Sequence, residues 1–389
     1  MNILFLTVST GGGHVKAAQA LMQQMEKQIP GCKTRLVDSL KYINPTVDRL
    51  VTGAYLHTIN KAPGIYGRLY DLSEKDETIT NIVKGFNYIL SHRLYSLFEQ
   101  YRPDAAVCTH TMPLQMLSRL KKKGLLNIPL IGIVTDYTSH FFWKLAGVDV
   151  LIVAHPCIKN DMVNMGIRES SIHACGIPVS GRFLDTSGNR SLQLKNMGFE
   201  ESKPTLLLMG GSLGFGGMRP VLSSLLSLRN DIQIIAVAGC NKQLEKQLKS
   251  ITQNSAKNVR ILGYTDSVSE LMDVSSLLIT KPGGITISEA LVKKLPILLM
   301  TPIPGQEERN ARFLSDSGAA VRLTSSDSLE VVLERTLGRP SVMQKMSEAA
   351  GRLAKPHACE DIAVIVEELI QKRTEDKLLL HGSQVYSDY

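Results

Sequence analysis

Ser9-Thr10-Gly11-Gly12-Gly13-His14 joins three residues without a side chain to one that can carry a proton. It directly follows an apolar run and precedes a helical pattern. Glycines let backbone approach a ligand closely, and a helix that starts there offers unpaired N–H groups and positive potential. Gly11, Gly12 and Gly13 therefore read as an anion-holding turn. The turn is neither a dinucleotide fingerprint, since position 16 is Lys, nor a P-loop, since no Gly-Lys-Ser/Thr follows. The positive end of the helix favours a neutral His14, and a neutral imidazole in a cleft can accept a proton. A histidine that only hydrogen-bonds the turn is the competing reading.

Four further stretches have similar chemistry. Gly210-Gly211-Ser212-Leu213-Gly214 repeats the strand-then-glycine pattern and makes a second phosphate cradle. Thr280-Lys281-Pro282-Gly283-Gly284-Ile285-Thr286-Ile287-Ser288-Glu289 ends a strand, turns, and starts a helix. Backbone N–H groups at 284–286 can hold phosphate. Glu289 can accept two hydroxyl hydrogen bonds from a ribose diol, or be a first-turn acid that stabilises the helix. Pro304-Gly305-Gln306-Glu307-Glu308-Arg309-Asn310 puts Gln306, Glu307 and Asn310 at a helix start, able to read sugar hydroxyls or simply to cap it. In Thr135-Asp136-Tyr137-Thr138-Ser139-His140-Phe141-Phe142-Trp143, Asp136 follows a buried strand. An acid, an imidazole and an exposed Trp143 would shape an acceptor pocket; alternatively they anchor a loop. Asp-x-Asp and His-Glu-x-x-His are absent, which disfavours a metal-held diphosphate.

These turns need strands and helices to aim them. Short runs rich in Val, Ile and Leu predict strands at 2–9, 34–38, 104–109, 129–135, 148–154, 172–176, 205–210, 232–238, 259–263, 277–281, 296–301 and 319–323. Most do not alternate, as expected of parallel strands buried on both faces. Amphipathic patterns predict helices at 14–28, 157–165, 241–253, 285–294, 307–317 and 340–354. The fold class is α/β, with two Rossmann-like doubly wound domains facing a central cleft. The rhythm is interrupted around 180–203, which is polar and turn-rich. It also breaks at 41–101, where aromatics (Tyr42 to Tyr101) interleave with Lys and Arg. Residues 79–101 read as an amphipathic helix, either packed on the sheet or lying in a lipid headgroup layer.

Composition narrows the class. The chain has 389 residues, enough for about two domains, with 43% apolar and 21% charged residues. That excludes a disordered, collagenous or disulfide-framework protein. No apolar stretch is long enough to span a bilayer, and the N-terminus reads as a first strand rather than a signal peptide. The six scattered cysteines read as reduced cytosolic thiols. Residues 1–185 hold 20 Lys and Arg against 14 Asp and Glu, the remainder 24 against 22. The excess positive charge sits in the first half, where it fits an anionic surface or ordinary solubility charge.

Taken in order, Gly-Gly-Gly-His at 11–14, Thr-Asp at 135–136 with His140 and Trp143, Gly-Ile-Pro at 176–178, Thr-Lys-Pro-Gly-Gly-Ile-Thr-Ile-Ser-Glu at 280–289 and Pro-Gly-Gln-Glu at 304–307 with Asn310 carry a family resemblance. The sequence resembles the GT-B lipid glycosyltransferase family of bacterial processive diacylglycerol glucosyltransferases and plant monogalactosyldiacylglycerol synthases. The resemblance implies an inverting hexosyltransferase that moves glucose, the favoured donor sugar, or galactose from a UDP-sugar to diacylglycerol. It implies an acceptor domain at 1–185, completed by a helix at 359–373, and a donor domain at 200–355. Ser212, Gly283, Gly284 and Thr286 go to the diphosphate, Glu289 to the ribose, backbone near Gly263 and Tyr264 to the uracil, and Gln306, Glu307 and Asn310 to the hexose. His14 is the favoured base, with Asp136 its competitor, and His140 and Trp143 join the acceptor site. No cofactor or metal is implied, because the UDP-sugar is a substrate. The expected partners are UDP-sugar, diacylglycerol and an anionic membrane surface, with the protein cytoplasmic and peripheral on the inner face of the cell membrane. Competing expectations are an N-acetylglucosaminyltransferase acting on a polyprenyl-diphosphate, an epimerase on the same fold, and a non-catalytic UDP-sugar sensor. No nucleic-acid motif is present, so nucleic acid is not an expected partner. If 41–101 meets lipid, neutralising Lys61, Arg68, Lys84 and Arg93 together abolishes salt-sensitive sedimentation with anionic vesicles; unchanged sedimentation refutes that role.

Overall fold

The computed structural model describes residues 1–9, 11–61, 64–65, 67–68, 72, 92–185, 188–214, 217–324 and 327–385. Among them run two parallel six-stranded sheets flanked by helices. The first holds β1 (Asn2–Thr7), β2 (Lys33–Asp38), β3 (Ala105–Cys108), β4 (Leu130–Ile133), β5 (Val150–Ile152) and β6 (Ile172–His173). The second holds β7 (Thr205–Met209), β8 (Gln233–Val237), β9 (Val259–Leu262), β10 (Leu277–Thr280), β11 (Ile297–Leu299) and β12 (Ala320–Arg322). Each of the twelve predicted runs overlaps one of these strands, and all but 34–38, which starts one residue late, contain theirs whole. Every residue of β3, β4, β5, β7, β8, β10 and β11 is buried, as a strand covered on both faces requires. Fully exposed residues occur in the edge strands β2 and β9.

Both sheets are doubly wound, but their strand orders differ, with one strand beyond β1 on its side of the switch point in the first and two beyond β7 in the second. Their strand orders are β2-β1-β3-β4-β5-β6 and β12-β11-β10-β7-β8-β9. The first sheet reverses direction between β1 and β3, the second between β7 and β10. Loops leaving such neighbouring strands part to opposite faces and open a crevice at their carboxyl ends. The glycine turns at 11–13, 210–214 and 283–284 sit at these ends.

The helix Gly12–Gln28 starts two residues earlier than its pattern suggested, because two of the glycines form its first turn. It buries Ala18, Leu21 and Met25 in one core with Ile3 and Phe5 of β1. Ile362, Ala363 and Val366 of the last helix, Ala358–Val385, share that core. The chain thus leaves the second sheet and ends against the first.

The structure corrects the reading of 180–203 as an interruption. It contains the helix Arg190–Asn196, capped by Asn189, whose side chain accepts from the Leu192 N–H at 3.0 Å. Leu194 is buried, and Arg190 donates to the Val274 carbonyl at 3.3 Å. Seven residues are too few for a period of 3.6 to stand out.

Within 41–101, helices run over Pro45–Lys61 and 92–101. Leu94, Leu97 and Phe98 are buried in the core, and Arg93 donates to the Ile43 carbonyl at 2.7 Å, which gives one of the four basic residues a packing role. Leu50, Ile65 and Leu72 are exposed. Thr10, residues 79–91 of the expected amphipathic helix, and Tyr66, Tyr70, Phe86 and Tyr88 lie outside the described residues. Among the described residues no helix is long and apolar enough to cross a membrane.

Candidate active site

The carboxyl ends of the two sheets face each other across one cleft. The first sheet contributes Gly11, Gly12, Gly13, His14 and Lys16 after β1, and Thr135 and Asp136 after β4. The second contributes Gly211 and Ser212 after β7, Lys281, Gly283, Gly284 and Thr286 after β10, and Gln306 and Glu307 after β11. Helices begin at Gly12, Gly284 and Gln306, so three sets of first-turn N–H groups converge on the same space. The two units touch there: the Gly12 N–H donates to the Ser212 hydroxyl at 3.0 Å.

His14 is fixed in one tautomer. Its Nδ1 stands 2.8 Å from the Thr109 carbonyl oxygen, which can only accept. The proton of a neutral ring is therefore on Nδ1, and Nε2 has the free lone pair. The Thr135 hydroxyl is 2.9 Å from the same Nδ1. Burial pushes the pKa of His14 down, while the negative charge of Asp136 and the Thr109 carbonyl oppose that shift. His110 packs edge-on against His14 with centroids 4.8 Å apart. It caps its helix by accepting from the Met112 N–H, and burial holds its pKa well below the ordinary value.

Asp136 follows β4 of the same sheet, and burial raises its pKa. The Asn310 amide, His14 and Lys281 lower it, and Glu307 raises it further. Asp136 and His14 each sense the other's charge, so they titrate as a pair. Lys281 donates to Glu307 Oε1 at 2.6 Å, and Glu307 Oε2 accepts from the Ile303 N–H at 3.2 Å.

A second cavity adjoins the first and shares Lys16 and Ile285 with it. Glu289 and Tyr264 line it. Burial pushes the Glu289 carboxyl up to about 7, with Lys16 opposing. Tyr264 is half exposed and donates its hydroxyl to Asp266 at 3.0 Å.

The structure brings Gly11, Gly12, Gly13, His14, Asp136, Ser212, Gly283, Gly284, Thr286, Gln306 and Glu307 into the cleft, with Glu289 and Tyr264 next door. It does not bring all the expected residues. Gly263 lines neither cavity, and a side chain there would meet the Glu245 carboxylate. Asn310 is fully buried with its amide committed to protein partners. It accepts from the Tyr137 N–H at 2.8 Å and donates to Asp136 Oδ1 at 2.9 Å and the Pro282 carbonyl at 3.0 Å. It therefore ties the 135–137 loop to the second unit instead of facing a sugar.

His140 and Trp143, expected at the acceptor site, line neither cavity. His140 is buried and caps the short 3-10 turn Phe141–Trp143, accepting from the Phe142 N–H at 3.1 Å. Trp143 is 7% exposed and packs in the core over Gly132, where a side chain would crowd its ring. Of the two readings of this stretch, the loop anchor is the observed one. Lys16, Thr109, Thr135 and Lys281 were missed. Lys281 had a legible signal, being a charge at the end of an otherwise apolar strand. Lys16 had one too, as the residue that broke the dinucleotide pattern. Among the described residues no three His, Cys, Asp or Glu side chains stand together as metal ligands.

Residues 14–179 match the family model of monogalactosyldiacylglycerol (MGDG) synthase, and residues 205–362 that of the glycosyltransferase family 28 C-terminal domain. Over 370 residues the chain is 29% identical to the processive diacylglycerol beta-glucosyltransferase of Bacillus cytotoxicus, covering 94% of this chain and 93% of that protein. Among solved structures, MurG of Acinetobacter baumannii superimposes with a TM-score of 0.60 at 17% identity, over 95% of this chain and 99% of that one. Anabaena Alr3699/HepE in complex with UDP-glucose gives 0.53 at 16% identity, over 97% and 99%. Two doubly wound parallel sheets that face one cleft make this a GT-B protein, and it is an enzyme of the hexosyltransferase class. It is similar to the GT-B lipid glycosyltransferases, the group that holds the processive diacylglycerol glucosyltransferases and the MGDG synthases.

The units pack tightly at Gly284, where a Cβ would collide with the Thr135 carbonyl oxygen. Backbone stands on both sides, so no side chain can yield. Gly284→Ala is expected to leave each unit folded by circular dichroism but to lower kcat/KM for sugar transfer on the order of 10²-fold, the cost of about 1 Å of misplacement. Unchanged transfer would show that the cleft does not depend on this contact.

Proposed function

We propose that this chain moves a hexose, glucose by preference, from a UDP-sugar to the free hydroxyl of diacylglycerol, with inversion, at the cytosolic face of the membrane. The observation that carries the reading is His14. It stands at the switch point of one sheet with its Nδ1 proton committed to a carbonyl, opposite the helix start of the other. The relatives' names supply the acceptor and the sugar, and a similar fold holding UDP-glucose supports the nucleotide-sugar donor.

In this reading Ser212, Gly283, Gly284 and Thr286 hold the diphosphate through a hydroxyl and first-turn N–H groups. Glu289 takes the ribose diol, with the uracil beside Tyr264. Gln306 reads the hexose. His14 Nε2 takes the acceptor hydroxyl proton as that oxygen bonds to the anomeric carbon and the bond to the phosphate oxygen breaks. The attack comes from the side opposite the leaving group, so a single displacement inverts the centre. The charge that grows on the leaving UDP falls at the helix start after β10, which is aimed before the reaction begins. No metal is needed in this scheme. Asp136 supports the imidazolium that forms, and Asn310 holds Asp136 in place. The exposed Leu50, Ile65 and Leu72, in a stretch with Lys41, Arg49 and Arg68, suit contact with an anionic bilayer.

The test is transfer of labelled sugar from UDP-glucose and UDP-galactose to diacylglycerol in mixed micelles. Product from UDP-glucose is expected, with His14→Ala slower by about 10²- to 10⁴-fold. No product from either donor would overturn the reading. Because burial lowers the pKa of His14, its base form persists below the ordinary 6.5. The acid limb of kcat/KM should therefore lie below that value. In Asp136→Asn it should lie lower still, since the charge that raises the pKa of His14 is gone. A limb at or above the ordinary histidine value would remove His14 as the base.

A further inference from the structure

Glu307 was expected to read the hexose, yet both of its carboxylate oxygens are held by the protein. Oε1 takes the Lys281 ammonium at 2.6 Å and Oε2 the Ile303 N–H at 3.2 Å. The Lys281 and Glu307 side chains are only 23% and 10% exposed, so the pair is shielded from water. A side chain spread over two such partners holds a neighbour in place and has little left to offer a sugar.

Lys281 is placed differently. It ends β10 and lines the cleft beside Gly211, Ser212, Gly283 and Gly284. Its Cε would lie 3.0 Å from a Cβ on Gly211, whose φ of +72° disfavours any side chain. The bare backbone of that turn is what lets the lysine chain pass between the turn after β7 and the helix after β10. Of the two lysines that line the cleft, Lys16 also borders the cavity of Glu289 and acts on that carboxyl. Lys281 is the cation held between the two phosphate-type turns, and Asp136 senses its charge.

We infer that Lys281 is a catalytic residue that neutralises the diphosphate of the leaving nucleotide, and that Glu307 is a positioning residue that acts through Lys281 and does not read the hexose. The inference rests on the nucleotide-sugar reading above and deepens it. Breaking the bond from the anomeric carbon to phosphate leaves the electron pair on the phosphate oxygen. A fixed ammonium there meets charge as it forms, in a site where such a donor is worth far more than in water. An ammonium on a four-carbon stem has many rotamers. The Glu307 carboxylate, fixed in turn by the Ile303 amide, selects one of them.

Affinities for UDP and UDP-glucose separate the two roles of Glu307. They should be measured by calorimetry on wild type, Lys281→Met, Glu307→Gln and the double variant. Glu307→Gln keeps an oxygen for the Ile303 amide, and the double variant removes the unpaired carboxylate that Lys281→Met leaves. Lys281→Met should weaken UDP about tenfold, the scale of one charge-assisted contact, and flatten its salt dependence. Glu307→Gln should weaken UDP and UDP-glucose by the same factor, roughly three- to tenfold, and add nothing further in the Lys281→Met background. Lys281→Arg should restore part of the UDP affinity. Weakening of UDP-glucose alone by Glu307→Gln, or independent addition in the double variant, would overturn the inference and leave the nucleotide-sugar reading standing. Failure of the wild-type protein to bind either nucleotide would overturn both.

Discussion

The structure depends on backbone from the two units meeting where nothing soft lies between them. At Gly284 the second unit's helix start rests on the Thr135 carbonyl of the first, with no room for a methyl group. Asn310 then locks the contact with three hydrogen bonds, two to the 135–137 loop and one to Pro282. A buried amide is costly unless all its groups are paired, and these bonds satisfy it only in this one relative placement of the units. Tyr137 strengthens the lock. Its hydroxyl meets Ser288 at 2.8 Å, and its ring stacks on Phe313 with centroids 5.1 Å apart. The residues that line the cleft owe their mutual distances to this one interface.

Exclusion of water at that interface accounts for most of the electrostatics. Burial is the largest influence on His14, His110, Asp136 and Glu289 alike. It pushes the bases down and the acids up, so each group moves toward its neutral form. His14 escapes the full shift because Asp136 and the Thr109 carbonyl favour its proton. His110 has no such acid to offset its burial, and the charge of His14 lowers it further. The electrostatic difference between the two imidazoles thus lies in one carboxylate, and Asn310 is what keeps that carboxylate in place.

The fold was legible because its rules are local. A strand covered on both faces must be apolar throughout, so β3, β7 or β10 announces itself within four or five residues. Glycine turns at strand ends were legible for the same reason, as were His14, Asp136, Gly283, Gly284 and Glu289. The misread features were set by partners distant in the chain. Asn310 and Asp136 are 174 positions apart, and nothing near either residue reveals the other. Trp143 reads as exposed in a stretch with Asp136 and His140, but Gly132 leaves a place for its ring in the core. In the sequence Lys281 reads only as the end of a strand, and the fold alone brings it to Glu307, 26 positions on. The helix Arg190–Asn196 was too short to show its period, and it became a helix by docking on Val268–Val274.

The repeated doubly wound plan explains why one enzyme needs two such sheets. A single doubly wound sheet offers one crevice at its switch point, with helix starts on one side only. A transfer reaction needs opposite things at two places: a proton acceptor where the acceptor oxygen attacks, and positive potential where the leaving group departs. A helix start near His14 already favours its neutral form, and the helix start after β10 favours a departing anion. Facing the two sheets puts these equivalent features on opposite sides of one space. The side chains then diverge: the first sheet carries His14 and Asp136, the second Lys281 and Ser212. Because these groups sit on turns and helix starts that follow the strands, the spacing across the cleft is held by the same Gly284 and Asn310 contacts.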